Sequence, residues 1–145
     1  MTYKHARLII ISVLVLVASL LFGCRSDTIY SSKLLNNVAL SSQIDKQYQP
    51  INATTVFRDT TEKIYCSFST SKAPIGAMIT ARWVYIVKEA ADKPYIIDQF
   101  TQPKNNQERM VMFLSRPTNG WQRGDYWVAL FINSLAELQI PFSIK

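Results

Sequence analysis

Trp121-Gln122-Arg123-Gly124-Asp125-Tyr126-Trp127-Val128-Ala129-Leu130-Phe131-Ile132 is the stretch on which the fold turns. Tyr126, Val128, Leu130 and Ile132 alternate with Trp127 and Ala129, a period of two that puts one apolar set on one face of an extended strand.

The same period recurs outward from it. Ile64, Cys66 and Phe68 alternate with Tyr65 and Ser67; Trp83, Tyr85 and Val87 alternate with Val84, Ile86 and Lys88. Turn chemistry separates these runs at Arg58-Asp59-Thr60-Thr61, Lys72-Ala73-Pro74-Ile75-Gly76, Ala91-Asp92-Lys93-Pro94, Gln102-Pro103-Lys104-Asn105-Asn106 and Pro117-Thr118-Asn119-Gly120. The pattern predicts seven strands, near 53–58, 62–70, 77–88, 95–101, 107–115, 125–133 and 139–144. That number of short strands in one domain, at this spacing, is the arithmetic of an all-β sandwich.

Three positions carry a resemblance. Cys66 lies in the second predicted strand, Trp83 in the third, and Gly124-Asp125-Tyr126-Trp127-Val128 opens the sixth. This resembles the immunoglobulin-type core, in which a cysteine, a tryptophan and a Tyr-x-Cys meet between two sheets. Here Val128 stands where the second cysteine would be, so the resemblance implies an immunoglobulin-like β-sandwich over residues 51–145, held by apolar packing without the disulfide. The stretch Trp121 to Val128 is also similar to the Trp-x-x-Gly-x-Tyr-x-Val lead into a late strand of small bacterial surface domains.

The N-terminus carries a second signal. Lys4, His5 and Arg7 form a basic start, and Leu8 to Phe22 is an uncharged run rich in Leu, Ile and Val. From Leu8 to Cys24 there are 17 uncharged residues, which as a helix reach roughly 26 Å, short of a hydrocarbon core of about 30 Å. Ser19-Leu20-Leu21-Phe22 lacks the small-residue pattern of an ordinary signal-peptidase site. Leu21-Phe22-Gly23-Cys24 instead resembles a lipobox, with Phe22 departing from the usual residue there. The resemblance implies recognition of Leu21, Phe22 and Gly23 by the lipoprotein peptidase, cleavage before Cys24, and acylation of Cys24 by a diacylglyceryl group and a further chain such as palmitate. An uncleaved anchor helix is the competing reading; both place the rest of the chain outside the cytoplasm, at the cell membrane or the outer membrane. Two or more chains anchor a protein stably, since each buried methylene contributes about 0.8 kcal/mol.

Residues 1–23 are therefore expected to be a signal peptide, which leaves 122 residues, enough for one domain. The whole chain carries a net charge of +6, two of whose positive charges lie in the leader, so the remainder is +4 and well dispersed. Dispersed charge suits a solvated surface near anionic lipid and lacks the clustering of a nucleic-acid footprint. With Cys24 acylated, Cys66 is the only thiol, which excludes an intrachain disulfide. Residues 24–50 read as the lipidated cysteine and a tether rich in Ser, Asn and Gln, in which Leu34, Leu35, Val38 and Ala39 share a helical face behind Ser31 and Ser32, either packed against the domain or lying on lipid or a partner.

Chemistry-bearing residues are sparse. The sole histidine, His5, lies in the leader, so no imidazole remains for a triad or a metal. Ser69-Thr70-Ser71-Lys72 matches a Ser-x-x-Lys pattern, but it sits at a strand end before Ala73-Pro74, where a helix cannot place the pair on one face. Arg123-Gly124-Asp125 reads as the turn into the sixth strand. Neither a catalytic residue, a metal site nor a cofactor is expected. Trp121, Arg123 and Trp127, with Tyr95 and Phe100, are the candidate binding surface, because large aromatics are favoured at interface centres. The reading is a lipid-anchored, non-catalytic binding or assembly module of the bacterial cell envelope with an envelope protein or glycan as partner. A chaperone or pilotin-like lipoprotein and, further off, a histidine-free envelope enzyme are the alternatives.

Overall fold

The computed structural model describes residues 29–88 and 94–145. The stretch expected to be a signal peptide with a lipobox, Cys24 included, lies outside the described residues. In chain order the strands are β1 (Ile29–Tyr30), β2 (Asn36–Ser41), β3 (Gln43–Ile44), β4 (Pro50–Ile51), β5 (Val56–Phe57), β6 (Lys63–Ser69), β7 (Met78–Tyr85), β8 (Tyr95–Pro103), β9 (Arg109–Ser115), β10 (Gly124–Ile132) and β11 (Leu135–Ile144).

Two sheets form the sandwich. One runs β1-β2-β6-β9 and the other β5-β11-β10-β7-β8, while β3 and β4 make a separate hairpin. Every pairing is antiparallel except β5 with β11, where Val56 lies beside Ser143 and Phe57 beside Ile144. The period-two residues do what the alternation demands: Ile64, Cys66 and Phe68 of β6 face Ile79, Ala81 and Trp83 of β7 and Tyr126, Val128 and Leu130 of β10 across one buried core. Trp83 is fully buried and lies directly across from Val128. Its ring meets Phe142 edge-on at 6.0 Å, and Phe142 stacks on Tyr126 at 5.1 Å. Cys66 is fully buried with a free thiol, so the position expected of the first immunoglobulin cysteine is filled by a small apolar packing group.

Three expectations change. The tether predicted for residues 24–50 does not extend over the described part: β1 and β2 belong to the first sheet, and Leu35, Val38 and Leu40 are fully buried. The reason lies in how β2 is covered. Its inner face meets the core, and the β3–β4 hairpin folds over the outer face of β2 and β6, so Val38, Ala39, Leu40 and Ser41 are all buried and no alternation marks the strand. A bulge between Asn36 and Ala39, with Asn37 at φ +50°, breaks the register further. The helical face read into 34–39 is also absent. The Ser32 hydroxyl accepts from the N–H of Leu34 at 3.3 Å and of Leu35 at 3.0 Å, closing a turn, after which the chain extends.

β11 begins at Leu135, earlier than the expected start near 139. Asn133 and Ser134 both have positive φ, 48° and 68°, and form a two-residue hairpin turn whose twist matches the strands it joins. Asn133 Oδ1 also accepts from the Met78 N–H at 3.0 Å, tying that turn to β7.

Candidate binding cleft

The seventh and tenth strands and the chain between β9 and β10 meet at one end of the sandwich. Pro117 to Gly120 make a turn, closed by the Gly120 N–H donating to the Pro117 carbonyl at 2.8 Å, with Gly120 at φ +78°. Trp121 then drops inward. It is 7% exposed, its Nε1–H donates to the Thr61 carbonyl at 2.5 Å, and its ring meets Tyr126 edge-on at 6.2 Å. The Tyr126 hydroxyl donates back to the Gln122 carbonyl. Burial, then the neighbouring Tyr85, push the Tyr126 phenol up to about 12, so it remains a donor at neutral pH.

These contacts leave a cleft. Tyr85, Tyr95, Ile97, Pro117, Trp121 and Tyr126 line a cavity of about 260 Å³, with Asn119 and Gln122 adding polar edges. Tyr85 packs on Tyr126 at 4.8 Å between centroids, and Tyr95 stands 63% exposed at the start of β8 as the outer wall. Gly124 makes the wall fit: its φ is +146°, and a Cβ there would lie 3.2 Å from Tyr85 Cε2. Aromatic faces with a few polar groups at the rim can hold a flat or C–H-rich ligand by stacking and orient it by hydrogen bonds.

Sequence reasoning named Trp121, Arg123 and Trp127 as one surface, and the structure sends them three ways. Trp121 is a buried wall of the cleft. Arg123 turns away and clamps Asp59, Nε at 3.0 Å and Nη2 at 2.6 Å from one carboxylate oxygen, and this guanidinium lowers the Asp59 pKa. Trp127 follows Tyr126 by one residue and so points to the opposite face of the sheet, between Pro141 and Val84. Of the accompanying aromatics, Tyr95 joins the cleft, whereas Phe100 sits further along β8 opposite Ala81, partly exposed. Tyr85 and Pro117 were not singled out as binding residues, since one reads as core alternation and the other as turn punctuation.

Cys66 offers no nucleophile at neutral pH, because burial pushes its thiol pKa up. Ser69 ends β6 and Lys72 lies exposed in the turn beyond it.

The two sheets, their order and the Trp83–Val128–Cys66 centre define an immunoglobulin-like β-sandwich. No protein-family model matches the sequence, and no curated protein is similar to it. Among solved structures, the chain is similar to an immunoglobulin-like protein from Pseudomonas aeruginosa, with a TM-score of 0.52 and 13% identity over 85% of this chain and 100% of that one. It also aligns with an alkylpurine DNA glycosylase of Pseudomonas fluorescens at a TM-score of 0.48 and 10% identity, over 80% of this chain and 31% of that one. At such identities the first likeness carries the fold, and the second carries nothing further.

Proposed function

We propose that this chain is a lipid-anchored, non-catalytic binding or assembly module of the bacterial cell envelope, held by acylated Cys24 and engaging a membrane-proximal partner through the aromatic cleft. The observation that carries this reading is directional. Ile29 pairs with Ala39 and Tyr30 with Val38, so β1 enters its sheet from the end where Ser41, Lys63 and Ser115 lie. The cleft sits at that same end, between Tyr85 and the 116–123 segment. Five covalent steps separate Cys24 from Ile29, a reach of at most about 18 Å. An anchored domain would thus hold its cleft close to the bilayer surface, where a membrane-bound protein or glycan would meet it at high effective concentration.

A photo-crosslinking amino acid at position 95, in cells, tests this. The expected result is one discrete adduct from position 95 and none from position 72, at the opposite end. Equal labelling from both positions, or none from either, would contradict cleft recognition.

One observation favours the chaperone or pilotin-like reading. Among the described residues β8 pairs with β7 alone, so one side of a nine-residue edge strand offers its main-chain groups to a client strand. Under that reading, adducts from positions scanned along β8 recur at every second residue instead of clustering at 95.

A further inference from the structure

The opposite end of the first sheet carries a second, chemically different site. The β3–β4 hairpin folds over the outer face of β2 and β6, and its tip is tied by the Asp45 carboxylate, which accepts from the N–H of Gln47 and of Gln49, each at 2.8 Å. Between hairpin and sheet lies an open groove of about 530 Å³.

A relay fixes its floor. The Tyr48 carbonyl accepts from the buried Ser67 hydroxyl, and Ser67 Oγ in turn accepts from Arg109 Nη1 at 2.9 Å. Tyr48 holds φ +60° and Asn37, across the groove, φ +50°. Two non-glycine residues in the left-handed region, one on each wall, mark a shape that the surrounding contacts enforce.

Arg109 is half-buried there. Burial lowers its pKa and only Asp45 acts the other way. Among the described residues the ion pairs are Arg116–Glu62 and Arg123–Asp59, so Arg109 has no carboxylate within salt-bridge distance. A partly desolvated guanidinium with most of its donors uncommitted gains from an anion placed on it. Lys46 adds a second positive charge to the rim, while Glu108 stands on the lining and Asp45, already bonded to the N–H groups of Gln47 and Gln49, acts on Arg109 from the hairpin. The remaining polar lining is mostly carboxamide, from Asn37, Gln47, Gln49 and Gln107, with Ser69 and Tyr48 beside them. Each carboxamide donates and accepts, the pairing that adjacent sugar hydroxyls require. A lone oxyanion would leave most of the volume empty, and an acyl chain would leave the carboxamides and the guanidinium without partners.

We propose that this groove binds a saccharide bearing a carboxylate, with the carboxylate on Arg109 and the hydroxyls on the carboxamides. The site is independent of the aromatic cleft and of lipidation.

Calorimetric titration of the full chain in detergent micelles tests it, with trigalacturonate, neutral trigalactose, triglutamate and inorganic phosphate as probes. Saturable binding of trigalacturonate is expected, with trigalactose, triglutamate and phosphate each at least about 10-fold weaker. Arg109→Gln should weaken trigalacturonate by about 10- to 100-fold, the worth of one charge-assisted hydrogen bond. Gln107→Ala and Lys46→Gln, at exposed positions that folding does not need, should each weaken it by about 2- to 10-fold. Absence of saturable trigalacturonate binding to the folded protein overturns the proposal. So does equal binding of triglutamate or phosphate, which would mean a general anion site, or unchanged affinity in both Gln107→Ala and Lys46→Gln.

Discussion

The Tyr126 hydroxyl bonds the main-chain carbonyl of Gln122, four residues upstream, and so locks the 116–123 segment onto the start of β10. This is the tyrosine-corner arrangement of immunoglobulin-like sandwiches, here without the disulfide that accompanies it in antibody domains. Tyr126→Phe removes the donor, leaving a part-buried carbonyl unpaired. The expected loss is about 1–2 kcal/mol with an unchanged denaturant slope, checked by urea unfolding.

Gly124 stands next to that corner. Its φ of +146° and the 3.2 Å approach of a built Cβ to Tyr85 mean that Gly124→Ala strains the backbone and displaces a cleft wall. The expected cost is about 1–3 kcal/mol, together with movement of the Tyr85 ring resonances in NMR spectra.

β2 offers a test of the domain boundary. Leu40 is fully buried, so Leu40→Ala should cost about 2–5 kcal/mol, where a residue in a solvated tether would cost nearly nothing. Thermal unfolding distinguishes the two outcomes.

Alkaline stability follows from the buried acids. The folded-state pKa of Cys66 is raised by burial above its ordinary 9.0, and that of Tyr126 above its ordinary 10.0. A raised pKa means that the unfolded chain ionises first, so this stability is intact below about pH 9 and is lost as pH rises beyond it. The Cys66 contribution falls by about 1.4 kcal/mol per pH unit over that range. Cys66→Ala should move the onset of alkaline destabilisation up toward the tyrosine range, read from urea midpoints between pH 8 and pH 11.

Most strands from β5 onward were legible because alternate residues face the core, which writes Ile64, Cys66 and Phe68, or Tyr126, Val128 and Leu130, as a period of two; β8, exposed along nearly its whole length, was legible from the turns that bound it. β2 was illegible for the converse reason: covered on both faces and bulged at Asn37, it shows a polar start and a solid buried run. The cleft was legible only in part. Trp121 and Tyr95 stand out as aromatics, yet their meeting depends on the 117–120 turn and on the pairing of Tyr85 with Tyr95, long-range relations that composition does not record. Arg109 gave no signal at all, since its place beneath the hairpin arises from Ser67 and Tyr48, both distant in sequence.

The central claim is that one acylated sulfur holds this sandwich, cleft inward, against a bilayer. Intact-mass spectrometry of the protein extracted from the envelope measures that directly. A chain beginning at Cys24 and carrying diacylglyceryl and N-acyl mass is the expected result; a chain retaining residues 1–23, or an unmodified Cys24 thiol, would contradict it.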